Sequence, residues 1–174
     1  MRPTIGSLYD GVNFPLTSPC VFAFDPGKST GWAIWSLDPL TPWLSSGQDE
    51  SAEVVAGFRH VLLLMNPDAV RASETVIENF IVPGRPQSKN EEIAMTFETI
   101  GQLKLVLEMH EMRPPRMQLP VERTITSRKL MTAWGWTSAG RPRVSGRDQL
   151  SAVQHLGSYL LQKNVVPRLP DVVR

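Results

Sequence analysis

Cysteine occurs once in the 174 residues, at Cys20, so no disulfide within the chain can brace the fold, and the chain suits a reducing compartment. No stretch of about 18 consecutive apolar residues occurs, so no membrane-spanning helix is expected. The first residues lack the basic start and apolar core of a secretory signal, and the expected location is the cytoplasm. Internal repeats and low-complexity tracts are missing as well. A nucleotide-binding P-loop is incomplete: Gly27-Lys28-Ser29-Thr30 has the form of its end, but Phe22 stands where its first glycine belongs. An apolar, strand-like run then follows where the P-loop requires a helix.

Net charge is nearly lacking too, at +1, but the balance hides a segregation. Residues 1–112 carry 7 basic and 14 acidic side chains, residues 113–147 carry 8 basic against one acidic, Glu122, and residues 148–174 carry 3 and 2. A cationic segment in a near-neutral chain points to a local surface for a polyanion; a solvated loop and helix face is the alternative on charge alone. With 41% apolar and 20% charged residues, the composition is that of one globular domain. Residues 1–18 read as an extended lead-in, 19–164 as the domain and 165–174 as a tail.

What is present is organised around Cys20 to Trp35, C-V-F-A-F-D-P-G-K-S-T-G-W-A-I-W. Cys20 to Phe24 has the length and composition of a buried strand, and Asp25 ends it. Pro26-Gly27 predicts a turn, and Gly31 to Trp35 a second strand. A carboxylate at the tip of a hydrophobic strand is costly unless something uses its charge, and a metal ion is the obvious user.

Trp43 to Gln48 predicts a third strand. Asp49 or Ser51 is the expected cap of a helix with Val54, Phe58, Val61, Leu62 and Met65 on one face, stopped by Asn66-Pro67-Asp68. Glu74 to Phe80 is β-branched and strand-like, with Glu78 near its far end, and a Pro- and Gly-containing loop with Arg85 and Lys89 follows. The pattern from about Asn90 to Glu111 predicts a long helix with Ile93, Phe97, Ile100, Leu103 and Leu107 on one face. Met95, Leu105 and Met109 lie off that face, so the helix wants a second partner, either another subunit or another side of the same domain. Arg116 to Val121 is a short fifth strand and Thr126 to Trp134 a short helix with Arg128 and Lys129. A polar loop with Arg141 and Arg143 leads to a last helix, Arg147 to Lys163. Trp134 and Trp136 read as core residues ahead of base-stacking platforms.

This order suits an α/β fold, a five-stranded mixed sheet flanked by helices. If the fourth strand lies parallel beside the first, Asp25 and Glu78 share the carboxyl edge, where ligands of open α/β sheets collect. On the last helix Asp148, Ser151, Ala152, His155 and Tyr159 fall along one stripe, so Asp148 can face the same place. Three carboxylates from distant segments make a hard oxygen site suited to Mg²⁺ or Mn²⁺, and two such ions can clamp a phosphoryl displacement. Each has a plainer reading: Asp25 as a turn former, Glu78 as a solvated strand end, Asp148 as complement to a helix N-terminus, His155 as a packed histidine.

D-P-G-K-S-T-G-W-A, then V-I-E-N-F, then R-D-Q-L-S-A-V-Q-H resembles the RuvC-like Holliday junction resolvases, most closely their short phage versions, over about Val21 to Leu161. The resemblance implies an RNase H-like fold, a homodimer, two Mg²⁺ or Mn²⁺ ions per site, and hydrolysis of branched DNA to 5′-phosphate and 3′-hydroxyl ends in a bacterial or phage-infected cytoplasm. It makes Asp25, Glu78 and Asp148 the catalytic metal ligands, with Ser151 and His155 as further candidates; Ser151 stands where the family has a second acid. Lys28, Arg85, Lys89, Arg128, Lys129, Arg141, Arg143 and Arg147 are the candidate DNA contacts, and Phe80 a candidate junction wedge. The helix at about 90–111 is the candidate dimer interface. A junction-binding domain that cuts weakly or not at all is the other reading. The actin-like ATPases, which share an Asp-x-Gly turn, need two such domains and more residues than this chain has.

Overall fold

Alternation of side chains along β1 (Cys20–Asp25) sets the two faces of the sheet. Cys20, Phe22 and Phe24 pack on one face with α1 (Ser51–Leu64), α2 (Pro67–Ala72) and α3 (Asn90–Met109). Val21 and Ala23 pack on the other with α4 (Arg128–Ala133) and α5 (Arg147–Gln162). Two apolar clusters therefore sandwich the sheet, and Asp25 continues the Val21–Ala23 side, toward α5. The structure, a computed structural model, describes residues 17–40, 42–79, 90–136 and 146–166.

The sheet has five strands in the order β3-β2-β1-β4-β5, as the sequence predicts in number and mixture. β2 (Ser29–Ser36) returns antiparallel to β1, with Asp25 opposite Gly31, and β3 (Leu44–Glu50) extends the meander. The chain then crosses over through α1 and α2. β4 (Glu74–Glu78) enters parallel to β1, with Phe24 beside Ile77. β5 (Arg116–Gln118) runs parallel to β4 with Glu78 beside Gln118. One step beyond Phe24–Ile77, this register brings Asp25 level with Glu78. Among the described residues no helix is long and apolar enough to cross a membrane.

Several local expectations are corrected. Neither Asp49 nor Ser51 caps α1, whose N-cap is Glu50 without a side-chain bond. The Ser51 hydroxyl instead meets Thr30 Oγ1 at 2.7 Å, and Asp49 accepts from Trp32 Nε1 at 2.9 Å. Asn66-Pro67-Asp68 both stops α1 and starts α2: the Asn66 side chain accepts from the Asp68 amide, and Pro67 occupies the first turn. Phe97 is not on the inner face of α3 but is 52% exposed, because the buried stripe runs through Thr96, Thr99, Ile100, Leu103, Val106 and Leu107. β5 stops at Gln118, and a 3-10 helix, Pro120–Ile125, follows it. Trp136 is buried and packs on Trp35 and Trp134, with ring centroids 5.3 and 4.8 Å apart, in agreement with the core reading. Phe80, Arg85, Lys89, Arg141 and Arg143, most of the lead-in and most of the tail lie outside the described residues.

Candidate active site

Three parallel strands, β1, β4 and β5, end at one edge, and their last residues on the α5 side are Asp25, Glu78 and Gln118. α5 crosses over them. Its start is held by β-strand side chains, because its N-cap, Gly146, has none to offer. Gln48 Oε1 accepts from the amides of Asp148 (3.2 Å) and Gln149 (3.3 Å), and Gln149 Nε2 donates to the Ser46 carbonyl at 3.1 Å. Gly31 makes this approach possible: a Cβ there would lie 1.9 Å from the Asp148 carbonyl oxygen. Gly31→Ala is therefore expected to push α5 off β2 and lower stability by about 1–3 kcal/mol. It should also move Asp148 away from the edge, so that Mn²⁺ affinity falls together with the melting temperature. Unchanged values of both would show that the approach is not needed.

Glu78 is only 7% exposed, yet it is well supplied with donors. His155 Nε2 lies 3.0 Å from its Oε2, the Ser151 hydroxyl donates to the same oxygen at 3.1 Å, and Arg123 Nη1 stands 3.7 Å away. Behind it, His155 Nδ1 is 2.7 Å from Gln118 Oε1, so two fully buried residues from α5 and β5 orient the glutamate. Burial raises the Glu78 carboxyl, but the hydrogen bond and charge of His155, then hydrogen bonds from Asp25 and Ser151, outweigh it and hold the group below its ordinary range. Asp25 goes the other way, from 3.8 up to about 8, through burial first and the adjacent Glu78 charge second. The pair thus keeps one proton near neutrality, with Asp25 hydrogen-bonded to Glu78. Asp148 is raised by burial, against a lowering hydrogen bond with Ser29 and the charge of Arg147.

Asp25, Glu78, Asp148, Ser151 and His155 are thus gathered at one edge. Arg123, Gln118 and Gln48 were not foreseen: Arg123 is hidden in a short helix that the sequence pattern does not signal, and Gln118 acts only through the β4–β5 register. Lys28, in the β1–β2 turn, and Arg147, beside Asp148, are exposed next to this edge, and Arg128 and Lys129 are exposed on the first turn of α4.

Among the described residues no group of three or more His, Cys, Asp or Glu closes around a common point as a metal cage would. The donor chemistry nevertheless fits a hard divalent cation. Two adjacent carboxylates that share a proton near neutrality, with a third nearby, are a donor set that such an ion takes.

The mixed five-stranded sheet with helices on both faces is an RNase H-like fold of the RuvC type. A solved structure that shares it is T. thermophilus RuvC in complex with Holliday junction substrate, at a TM-score of 0.57 and 12% sequence identity over 84% of this chain and 96% of that one. No protein-family model and no curated protein matches the chain.

Proposed function

We propose that this chain is a metal-dependent endonuclease, a resolvase of the phage type, that cuts phosphodiester bonds in Holliday junctions and other branched DNA and leaves 5′-phosphate and 3′-hydroxyl ends. The observation that carries this is the placement of Asp25 and Glu78 side by side at the carboxyl edge, with Asp148 delivered over Gly31. The fold shared with a junction-bound RuvC supports the choice of substrate. Asp25, Glu78 and Asp148 would hold the metal, Mg²⁺ or Mn²⁺. When bound, the metal polarises the phosphoryl oxygen and acidifies water for attack. His155 and Gln118 keep the Glu78 carboxylate turned to the edge. Lys28 and Arg147, with the basic segment beyond, would track DNA phosphates. The setting would be the cytoplasm of a bacterium or of a phage-infected cell.

One observation favours a second reading, a domain that binds junctions and cuts weakly: Ser151, a neutral hydroxyl, is at the centre of the site, bonded to Arg123. A labelled four-way junction incubated with and without Mg²⁺ or Mn²⁺ separates the two. Metal-dependent paired nicks are expected, with 5′-phosphate ends; binding without nicks at any metal concentration would establish the second reading.

Two symmetric cuts call for a two-fold dimer. Support comes from α3, where Met95, Phe97, Leu105 and Met109 are exposed, with Leu63 and Leu64 of α1 also exposed. Gly101 lies between Phe97 and Leu105 on the helix, and an added Cβ there would meet nothing. Such a face costs solvation free energy unless covered. The chain is expected to sediment as a dimer at micromolar concentration, and Phe97→Asp/Leu105→Asp to make it a folded monomer. A wild-type monomer with and without junction would refute the assembly.

A further inference from the structure

We propose that the Arg123 guanidinium takes the place of one cation in this site, so that each chain binds a single divalent ion and Arg123 presents the second positive charge to the DNA phosphate; this rests on the nuclease reading above. Arg123 Nη1 donates to Ser151 Oγ at 2.8 Å and stands 3.7 Å from Glu78 Oε2, while the Ser151 hydroxyl donates on to Glu78. Position 151 is where the resemblance expects a carboxylate. Here a negative charge is replaced by a neutral hydroxyl, and a fixed cation is bonded to that hydroxyl. Both changes work in the same direction. Fully ionised, the carboxylates of Asp25, Glu78 and Asp148 against the guanidinium of Arg123, with His155 and Arg147 also beside them, leave at most two negative charges, which one divalent ion neutralises. A second ion would have to sit beside a permanent cation with one carboxylate fewer to hold it.

Arg123 is not a stray surface side chain. Its 3-10 helix is fastened to α5: Ser158 Oγ donates to the Glu122 carbonyl at 2.7 Å and meets Thr126 Oγ1 at 3.0 Å, and Gln154 Nε2 donates to the Thr126 carbonyl at 3.3 Å. Arg123 and Ser151 are therefore carried by one packed unit. The Arg123 side chain is 33% exposed while its Nη1 is bonded inward to Ser151, so the guanidinium is reachable from solvent beside the carboxylates. A guanidinium suits this place. Its planar fork matches two phosphate oxygens, and its charge does not depend on metal concentration.

The number of ions is read by titrating the metal-free full chain with Mn²⁺ and following free Mn²⁺ by electron paramagnetic resonance. Wild type is expected to take one ion per chain. Ser151→Asp should also take one, because the new carboxylate pairs with Arg123. The Arg123→Ala/Ser151→Asp double variant should take two, and Arg123→Gln/Ser151→Asp repeats the count should the first misfold. Two ions per wild-type chain, or only one in the folded double variant, would overturn the assignment. Arg123→Ala alone is expected to cut about 10²–10³-fold more slowly, with a much smaller loss of junction affinity from the one phosphate contact removed, and Arg123→Lys to recover only part of the rate, since an ammonium lacks the fork. Cutting by Arg123→Ala at the wild-type rate would also overturn it. A wild type that never cuts would sink the nuclease reading, a result separate from the ion count.

Discussion

Asp25→Asn is expected to reduce junction cleavage by about 10³-fold or more and to leave junction binding intact, because the phosphate contacts proposed for Lys28, Arg147 and the basic segment do not involve it. The same substitution should stabilise the metal-free protein. The Asp25 carboxyl titrates near 8 in the folded chain against 3.8 for the ordinary group. Between those values the folded state holds a proton that the unfolded state has lost. The contribution of Asp25 to stability without metal is therefore highest below about pH 4, falls as the pH rises to about 8, and levels off above it. Asparagine removes that loss, so the melting temperature of the variant at pH 8 should exceed that of wild type by about 3 °C or more. Adding Mn²⁺ should raise wild type with release of a proton and do little for the variant. Near-normal cutting by Asp25→Asn would remove this residue from the site; a metal-free melting curve with the wild-type pH slope would deny the shared proton.

His155→Ala is expected to be the most destabilising single change at the site. The imidazole is fully buried and bonded on one side to Glu78 and on the other to Gln118, whose Nε2 has no partner among the described residues even with the histidine in place. Truncation takes the main partner from a buried carboxylate, leaving it Ser151, Asp25 and the more distant Arg123, and leaves the buried Gln118 amide without its partner, at a cost of about 3–5 kcal/mol, or roughly 6–20 °C in melting temperature. The pH dependence should also change sign on the acid side. In wild type Glu78 is held below its ordinary range, so its contribution is lost as the pH falls through that lowered value. Without His155, burial dominates, the group rises above its ordinary range, and protonation restores stability as the pH falls. Bound Mn²⁺ should narrow the deficit by supplying the missing positive charge. A variant that melts within about 2 °C of wild type would mean that Glu78 does not depend on the histidine.

The succession of strands and helices along the chain and the positions of Asp25, Glu78 and Asp148 within their elements were legible in the chain, and the parallel placement of β4 beside β1 entered as a condition that the structure meets. Each depends on local pattern: an apolar run that ends in an acid, a β-branched run that ends in an acid, and a helix with an acid in its first turn. Once β4 lies parallel to β1, strand alternation places the first two on a common face, and the packing of α5 on that face brings Asp148 to them. The fate of Phe97 was not legible, because the apolar stripe of α3 admits two phases, and contact with α1 and the sheet selects the one through Thr96, Thr99 and Leu103. The cap of α5 was not legible either, since Gln48 is about a hundred residues away along the chain. Arg123 is the largest case. A short 3-10 helix carries no periodicity that a sequence displays, and only its attachment to α5 through Ser158 and Gln154 brings the guanidinium to Ser151. The sequence by itself determined which carboxylates stand at the edge, because that follows from periods of two and 3.6 residues within single elements. The tertiary structure alone decided which cation and which neutral partners meet them, because those contacts join elements whose relative placement is set by packing across the whole sheet.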